Sequence, residues 1–502
     1  MAELAYGSEG RGDEYLIGGS NVKNGSENGT GEMLDVQAMI DDRPEEGVFR
    51  VDRRTFADPA IFEMELDRVF GSGWVFLAHE GQLKKPGDIL TTHIGRVPIL
   101  LTRNKQGLLR GMINSCAHRG TLLARSQRGN QSVLACSYHG WCYDLDGVNV
   151  FVKDRETGGY PKAFDQCDLN LTPLAKFQSY RGFLFGSLSP NVESLEDHLG
   201  DVRTFLDLIV DQSQQGIEVL KGSSTYTYDG NWKLQAENGV DGYHFTTVHA
   251  NYVRLVMRRA ESGNDKVKAL DGRTLLQQAT GCYDLGNGHN LIWADLPNAP
   301  DRPIWEKREE LARRLGDTRT HWMTKRMRNL LIYPNVQVMD QASSQIRVFR
   351  PISAHETEVK IYCIAPVGES AAARERRIRQ YEDFFNASGM ATPDDLAQFE
   401  ACQDGYASRS GHRWIRYERG QTHMTAGADA DAETLGIRPF SSGSNIQDET
   451  LFQGQYRQWL KLMTRGGLPQ EVELGKRSAG AEHATDLPGG RASRPKEVAG
   501  VA

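Results

Sequence analysis

Apolar positions recur at helical spacing after Asp58: Ile61, Phe62, Leu66, Val69 and Phe70, ahead of Gly71. Asp58 suits the N-cap and Pro59 the first helical position, so the pattern predicts a helix that Gly71 stops. It belongs to a helical segment, 36–70, expected to pack on the later part of the chain. Beyond it the period changes. FLAHEGQ, DILTTHIG, VPILLTRN and LLRGMINSC are short apolar and β-branched runs broken by turn signals, and the pattern continues to about Leu188. Residues 71–188 therefore read as a compact antiparallel β domain.

From Ser194 a helix with an apolar face (Leu195, Leu199, Val202, Phe205, Leu206, Ile209) leads into a strand, SSTYTYDG. Then come a long basic helix, expected over 303–331, strands in LLIYPNVQVMD, SSQIRVFRPIS and TEVKIYCIAPV, and a helix over 370–387. Strands and helices without regular βαβ alternation predict an α+β domain over 189–470, an antiparallel sheet covered by helices. The ends lack such patterning. Residues 1–35 and 471–502 are poor in apolar side chains and are expected to be disordered tails.

Composition narrows the class. The chain has 502 residues, enough for two or three domains, and its net charge of -7 argues against a nucleic-acid binder. No apolar run reaches the length of a membrane span, and the first residues lack the layout of a signal peptide. Seven cysteines, an odd count, fit a reducing compartment better than a disulfide scaffold, so the cytoplasm is expected.

Two stretches carry candidate chemistry. SCAHRG supplies Cys116 and His118, and ACSYHGW supplies Cys136 and His139. Each loop offers one thiolate and one imidazole. Two such loops face to face would put Cys116 and Cys136 on one iron and His118 and His139 on another, the ligand set of a Rieske [2Fe–2S] centre. A mixed-ligand zinc site is the alternative, and core cysteines beside surface histidines the plainer one. Gly120 and Gly140 permit tight turns, and Trp141 could shield a cluster. Cys142, Cys167, Cys282, Cys363 and Cys402 lack ligand spacing and read as packing residues.

The second stretch, 231–249 (NWKLQAENGVDGYHFTTVH), gathers Glu237, Asp241, His244 and His249 among apolar and aromatic residues. Such groups are costly to bury unless something pairs them, and a metal ion is the natural candidate. His244 and His249 would diverge by about 140° on an ideal helix. They can share an ion only where the helix ends or bends, which leaves coordination positions open, as a catalytic metal needs. Glu237 and Tyr243 read as supporting or packing residues, and His79, His93, His289 and His355 as structural or surface ones. In TPDD, Thr392 is the expected N-cap and Pro393 the first helical residue. On pattern alone, Asp394 and Asp395 complement the helix dipole and need no metal. Arg347 and Arg350 share a strand and could reach a substrate carboxylate, but exposed or ion-paired arginines are the expectation.

CAHRG with CSYHGW, followed by NWKLQAENGVDGYHFTTVH, resembles the signature pair of the large (α) subunits of Rieske non-haem iron aromatic-ring-hydroxylating dioxygenases. LAHE, SYRGFLFGSL, GNWKLQAENG, DQASSQIR, IYCIAPVGE and IRQYEDFFNASGMATPDDL narrow the likeness to the benzoate, toluate and anthranilate 1,2-dioxygenase group. The resemblance implies a Rieske cluster on Cys116, His118, Cys136 and His139. It also implies mononuclear Fe(II) on His244, His249 and Asp395, with Asp394 as the fallback, which reverses the pattern-based reading of Asp395. Asp241 is expected to link the cluster of a neighbouring subunit to His244. Asn238 lies in a stretch one residue shorter than in some members. The implied partners are a small β subunit in an α3β3 hexamer and a flavin and iron–sulfur reductase that brings in NADH and FAD. The implied substrates are O2 and a benzoate-type aromatic carboxylate, cis-dihydroxylated on the ring. Anthranilate or another substituted, salicylate-like benzoate is the alternative, favoured by QATGCYDLGNGHNLIWADLPN. A Rieske electron-transfer protein and a zinc-stabilised interaction protein are the readings from other classes.

Overall fold

The computed structural model describes residues 34–262, 272–275, 277–341, 344–408, 411–467 and 485–486. The tails expected over 1–35 and 471–502 otherwise lie outside them. No described helix is long and apolar enough to cross a membrane.

The helix predicted after Asp58 runs over Pro59–Glu65, with the Asp58 carboxylate accepting the Ala60 N–H at 2.8 Å, and continues as a wider turn over Leu66–Gly71. Its Glu65 is fully buried. The carboxylate accepts from Trp232 Nε1 (2.8 Å), Lys233 Nζ (2.6 Å) and Trp459 Nε1 (2.6 Å), fastening this segment to helices Trp232–Asn238 and Leu451–Thr464. A buried carboxylate needs such partners, and here one group joins three elements.

Short antiparallel strands follow, as the alternating runs predict. Leu109–Ile113, Val97–Arg103, Asp88–Ile94 and Arg128–Asn130 form one sheet in that order, and Leu134–Ala135, Cys142–Tyr143 and Asn149–Phe151 form a smaller one. Ile89, Leu100, Met112, Leu134, Trp141 and Tyr143 pack between them, around Cys116 and Cys136.

The later chain builds a ten-stranded antiparallel sheet. At its centre Asn290–Asp295, Arg326–Ile332 and Val336–Asp340 lie side by side, with Ile292 opposite Asn329 and Asn329 opposite Met339. Alternation along a strand sends these side chains to one face and Leu291, Trp293, Leu330 and Val338 to the other, where they join the main core with the helices. The α+β class expected from the sequence holds, and the detail differs. The segment expected to be helical over 36–70 also carries strands Ile40–Arg43 and Val48–Asp52, and the helix expected from Ser194 is two, Leu195–Leu199 and Val202–Val210, broken at Gly200.

The helix expected over 303–331 is a short turn, Pro303–Lys307, and a helical run, Arg308–Thr324, broken by a kink at Gly316 (φ +79°), after which Arg326–Ile332 is a central strand. Charge misleads here. Arg326 is buried, its guanidinium 4.0 Å from the Trp293 ring and 4.5 Å from that of Trp322, with Asp295 and Asp431 as ion partners. LLIYPNVQVMD is accordingly two strands joined at the cis Tyr333–Pro334 bond. Helix Thr392–Ala407 begins one residue early, because the Thr392 hydroxyl donates to the Phe385 carbonyl (3.2 Å) and does not cap. Finally, Cys167 and Cys402 are exposed, not packed. Elsewhere Ser370 caps helix Ala371–Gln380, accepting the Ala373 N–H at 3.1 Å, as the run over 370–387 suggests.

Candidate metal centres

The two Cys–His loops share one construction. Cys116 N–H donates to Thr121 O and Gly120 N–H to Cys116 O; in the other loop Cys136 N–H donates to Trp141 O and Gly140 N–H to Cys136 O. Gly120 and Gly140 both have φ +73°, a conformation that side chains resist. Each loop therefore presents its cysteine inward and its histidine two or three residues later from the same kind of turn. The His118 and His139 rings stand 4.5 Å apart, and His118 stacks on buried Trp141 at 4.8 Å and 6°.

The donor set fits a bound cluster. Nδ1 of His118 and Nδ1 of His139 are both buried without a hydrogen-bond partner among the described residues. Buried polar atoms of this kind call for a ligand. Cys116 Sγ lies 3.2 Å from the Tyr143 hydroxyl, which accepts the Ala117 N–H (3.1 Å) and so has its own hydrogen free for sulfur. Burial works to raise the Cys136 thiol, but backbone N–H groups of Tyr138 and His139 and the neighbouring Cys116 outweigh it, and its pKa stands lowered towards the thiolate.

The second cluster depends on a broken helix. Helix Trp232–Asn238, capped by Asn231, stops at Gly239, and a four-residue helix, Phe245–Val248, lies between His244 and His249. Gln337 Nε2 donates to the carbonyls of Gln235 (2.8 Å) and Ala236 (3.1 Å), satisfying the helix end, and packs so closely on Gly239 that a Cβ there would displace the Gln337 amide. The bend expected from the five-residue spacing is thus present.

Asp395 arrives from the first turn of helix Thr392–Ala407. Its Oδ1 lies 3.2 Å from His249 Nε2 and 3.5 Å from His244 Nε2, and the three residues each offer a ligand atom within 4.8 Å of the others. Asp394 is left aside: its nearest approach to His249 is 3.9 Å, at Nδ1, with 36% of its side chain exposed. Burial works to raise the Asp395 carboxyl, but His249, His244 and Arg347 overcome it and hold the pKa below the usual carboxylate value. Burial likewise works to lower the His244 ring, yet Asp241 and Asp395 leave it raised. Asn238 enters the cluster too, with Nδ2 donating to Asp395 Oδ1 (3.2 Å) and 3.4 Å from His244 Nε2. Two imidazoles and one carboxylate on one side of a pocket, with the other side open, fit a metal that keeps free positions.

Around this core the supporting residues sort themselves. Asp241 Oδ2 lies 2.9 Å from His244 Nδ1. Glu237 supports the helix, accepting from the hydroxyls of Tyr417 (2.9 Å) and Tyr456. Tyr243, read as packing or support, is half exposed beneath the Arg419 guanidinium. His79 caps a turn, and His289 is buried against backbone groups of His198 and Tyr333. Arg350 pairs with Glu358 at 3.4 Å, as expected of a strand arginine. Arg347 overturns the same expectation: it is fully buried with its guanidinium 5.5 Å from the Phe385 ring. The pocket also takes in Asn329 and Gln341, which sequence reasoning missed. Asn329 fell inside the expected helix 303–331, and only the alternation in RMRNLLI could have revealed it.

Comparison with known proteins agrees with this picture. Residues 73–157 match the Rieske [2Fe-2S] domain and residues 218–434 the ring hydroxylating alpha subunit (catalytic domain). The 2-halobenzoate 1,2-dioxygenase large subunit of Burkholderia cepacia is 46% identical over 86% of this chain and 93% of its own length. The toluate 1,2-dioxygenase subunit alpha of Pseudomonas putida is 44% identical over 86% and 94%. The anthranilate 1,2-dioxygenase large subunit of Acinetobacter baylyi is 42% identical over 86% and 93%. Naphthalene 1,2-dioxygenase from Rhodococcus sp., solved with indole bound, superposes with a TM-score of 0.70 at 27% identity, covering 82% of this chain and 94% of that one. Both family models fall in order on one polypeptide, and the likeness extends over nearly the full length of dioxygenase large subunits. The chain therefore belongs to the Rieske non-haem iron ring-hydroxylating dioxygenases, oxidoreductases whose large subunit carries a [2Fe–2S] cluster and a mononuclear iron.

Proposed function

We propose that this chain is the α subunit of a terminal oxygenase that cis-dihydroxylates a benzoate-type aromatic carboxylate. The observation that carries this is the His244–His249–Asp395 cluster opening on a mainly apolar pocket, in a chain 42–46% identical to large subunits named for halobenzoate, toluate and anthranilate. Cys116, His118, Cys136 and His139 hold the [2Fe–2S] cluster, and His244, His249 and Asp395 hold Fe(II). When bound, the iron supplies open positions for dioxygen and the cluster supplies electrons singly.

The protein's own groups set the geometry. Asp241 accepts the Nδ1 hydrogen of His244, which fixes the tautomer and leaves Nε2 facing Asp395. Asn238 donates to the Asp395 oxygen nearest both imidazoles and limits how that carboxylate turns. Phe245, Phe384, Ile292 and Ile446 line the pocket and keep bulk water from a ring held there.

More than a hundred residues separate His139 from His244 along the chain. A ring of subunits that sets one chain's cluster against the next chain's iron would shorten the electron path, a heterologous interface that closes. In this proposal the assembly is α3β3 with a small β subunit, it works in the cytoplasm, and an NADH-dependent flavin and iron–sulfur reductase supplies electrons. Its domains are an N-terminal segment over 36–70, the Rieske domain over 71–188 and the catalytic domain over 189–470.

A panel of benzoate, halobenzoates, toluates, anthranilate and salicylate, scored for NADH and O2 use with products identified, tests the reading. Coupled consumption with a cis-diol from at least one of them supports it, and consumption with none sinks it. Anthranilate is the second candidate, on the 42% identity to an anthranilate 1,2-dioxygenase large subunit.

A further inference from the structure

The pocket before the His244–His249–Asp395 cluster is walled chiefly by carbon. Two buried side chains break that wall without touching the cluster: Asn329, on strand Arg326–Ile332, and Gln341, just past the end of the neighbouring strand Val336–Asp340, with Met327 and Met339 beside them in the lining. Their orientation is fixed by chemistry. The Gly239 carbonyl can only accept, so Asn329 turns Nδ2 to it (2.8 Å) and Oδ1 towards Gln341, whose Nε2 must then donate (2.8 Å). Each amide nitrogen carries two hydrogens, so each keeps one that has no acceptor among the described residues.

The opposite face of the same strands adds charge. Arg328 pairs with Asp340, and Arg302 reaches the same carboxylate at 3.1 Å while its Nε donates to the Gln341 carbonyl at 3.3 Å. Two guanidiniums thus meet one carboxylate behind the amides. The excess is positive, which favours an anion in front of them. Arg347, the cation singled out by the sequence, does not line the pocket. It lies behind Phe385, with Nη2 donating to that residue's carbonyl at 3.4 Å.

Resting on the aromatic-acid activity proposed above, we propose that Asn329 and Gln341 recognise the substrate's carboxylate, each giving it one amide N–H. They would thereby select aromatic acids over neutral rings. A carboxylate entering an apolar pocket must find donors to replace water, and among the described residues these are the side-chain donors the wall offers outside the iron cluster.

The test uses the assembled holoenzyme with Gln341→Leu, Asn329→Leu and Arg347→Met. Equilibrium binding and kcat/KM are measured for benzoate, and binding for nitrobenzene, a neutral ring of similar shape. Gln341→Leu leaves the Asn329–Gly239 bond in place, so it guards against an effect of misfolding. The expected result is a loss of about 10- to 100-fold for benzoate in either amide variant, the size of a hydrogen bond to a charged group. Nitrobenzene should bind at least as tightly as to the parent enzyme, with the iron content unchanged. Equal losses for both ligands, no loss for benzoate, or a benzoate-specific loss confined to Arg347→Met would overturn the assignment. Failure of the underlying reading shows separately, as a parent enzyme that binds nitrobenzene but neither binds nor oxidises any aromatic acid.

Discussion

Asp241 divides its carboxylate between two partners: Oδ2 lies 2.9 Å from His244 Nδ1, and Oδ1 accepts the Tyr243 N–H at 2.6 Å. The backbone contact holds the carboxylate in place whether or not it is charged. Asp241→Asn should therefore keep the local fold and all three irons per chain, while the altered partner at Nδ1 lowers turnover by about 10- to 100-fold. Iron analysis beside NADH and O2 consumption checks this. Full turnover in the variant would remove any role for Asp241 between the centres.

Asp394 and Asp395 are neighbours in sequence with opposite expected outcomes. Asp395→Ala should lower iron from three to two per chain and leave the Rieske absorption and EPR signals intact. Asp394→Ala should keep three, since its carboxylate stays 3.9 Å from His249 Nδ1 and faces solvent in part. The reverse result would move the carboxylate ligand to Asp394.

Lys233 and Glu65 form an ion pair of 2.6 Å in which neither side chain is more than 1% exposed. Removing one partner strands the other charge in the core. Lys233→Met is expected to cost roughly 3–5 kcal/mol, and Glu65→Gln with Lys233→Met to recover much of it. Thermal melts of the holoenzyme decide the matter, and a double variant no better than the single one would show that the two indole N–H groups on Glu65 matter more.

His289 gives a pH signature. Burial, with His198 beside it, pushes its pKa down to about 3 from an ordinary 6.5. The unfolded chain binds that proton more readily, so the ring's contribution is present above pH 6.5 and is lost as pH falls towards 3. By pH 4 the loss is on the order of 3 kcal/mol. His289→Gln should therefore melt lower than the parent at pH 7 and show a flatter decline between pH 6.5 and 4. Parallel curves would refute the assignment.

The sequence shows its cysteines, histidines and turn glycines openly, because ligand types at fixed spacing need no tertiary information. The α+β class follows from the same kind of local signal. Asp395 is harder: a carboxylate in the first turn of a helix satisfies the helix whether or not it serves anything else, and only the resemblance singled it out. Arg326 and Arg347 defeat the sequence for a different reason. Both are cations buried against a ring more than thirty residues away in sequence, Trp293 for one and Phe385 for the other. Asn329 was hidden with Arg326, since a strand read as a helix has no faces in the right register.

The three central strands also bear on how the enzyme can be re-engineered. Ile292, Met327, Asn329, Met339 and Gln341 look into the pocket, while Arg328, Asp340 and the apolar residues between them look away from it. Ring preference and scaffold integrity are thus written in alternate letters of the same peptides. A mutant library confined to the five inward letters can explore new arenes while the outward ones keep the barrel of contacts behind them intact.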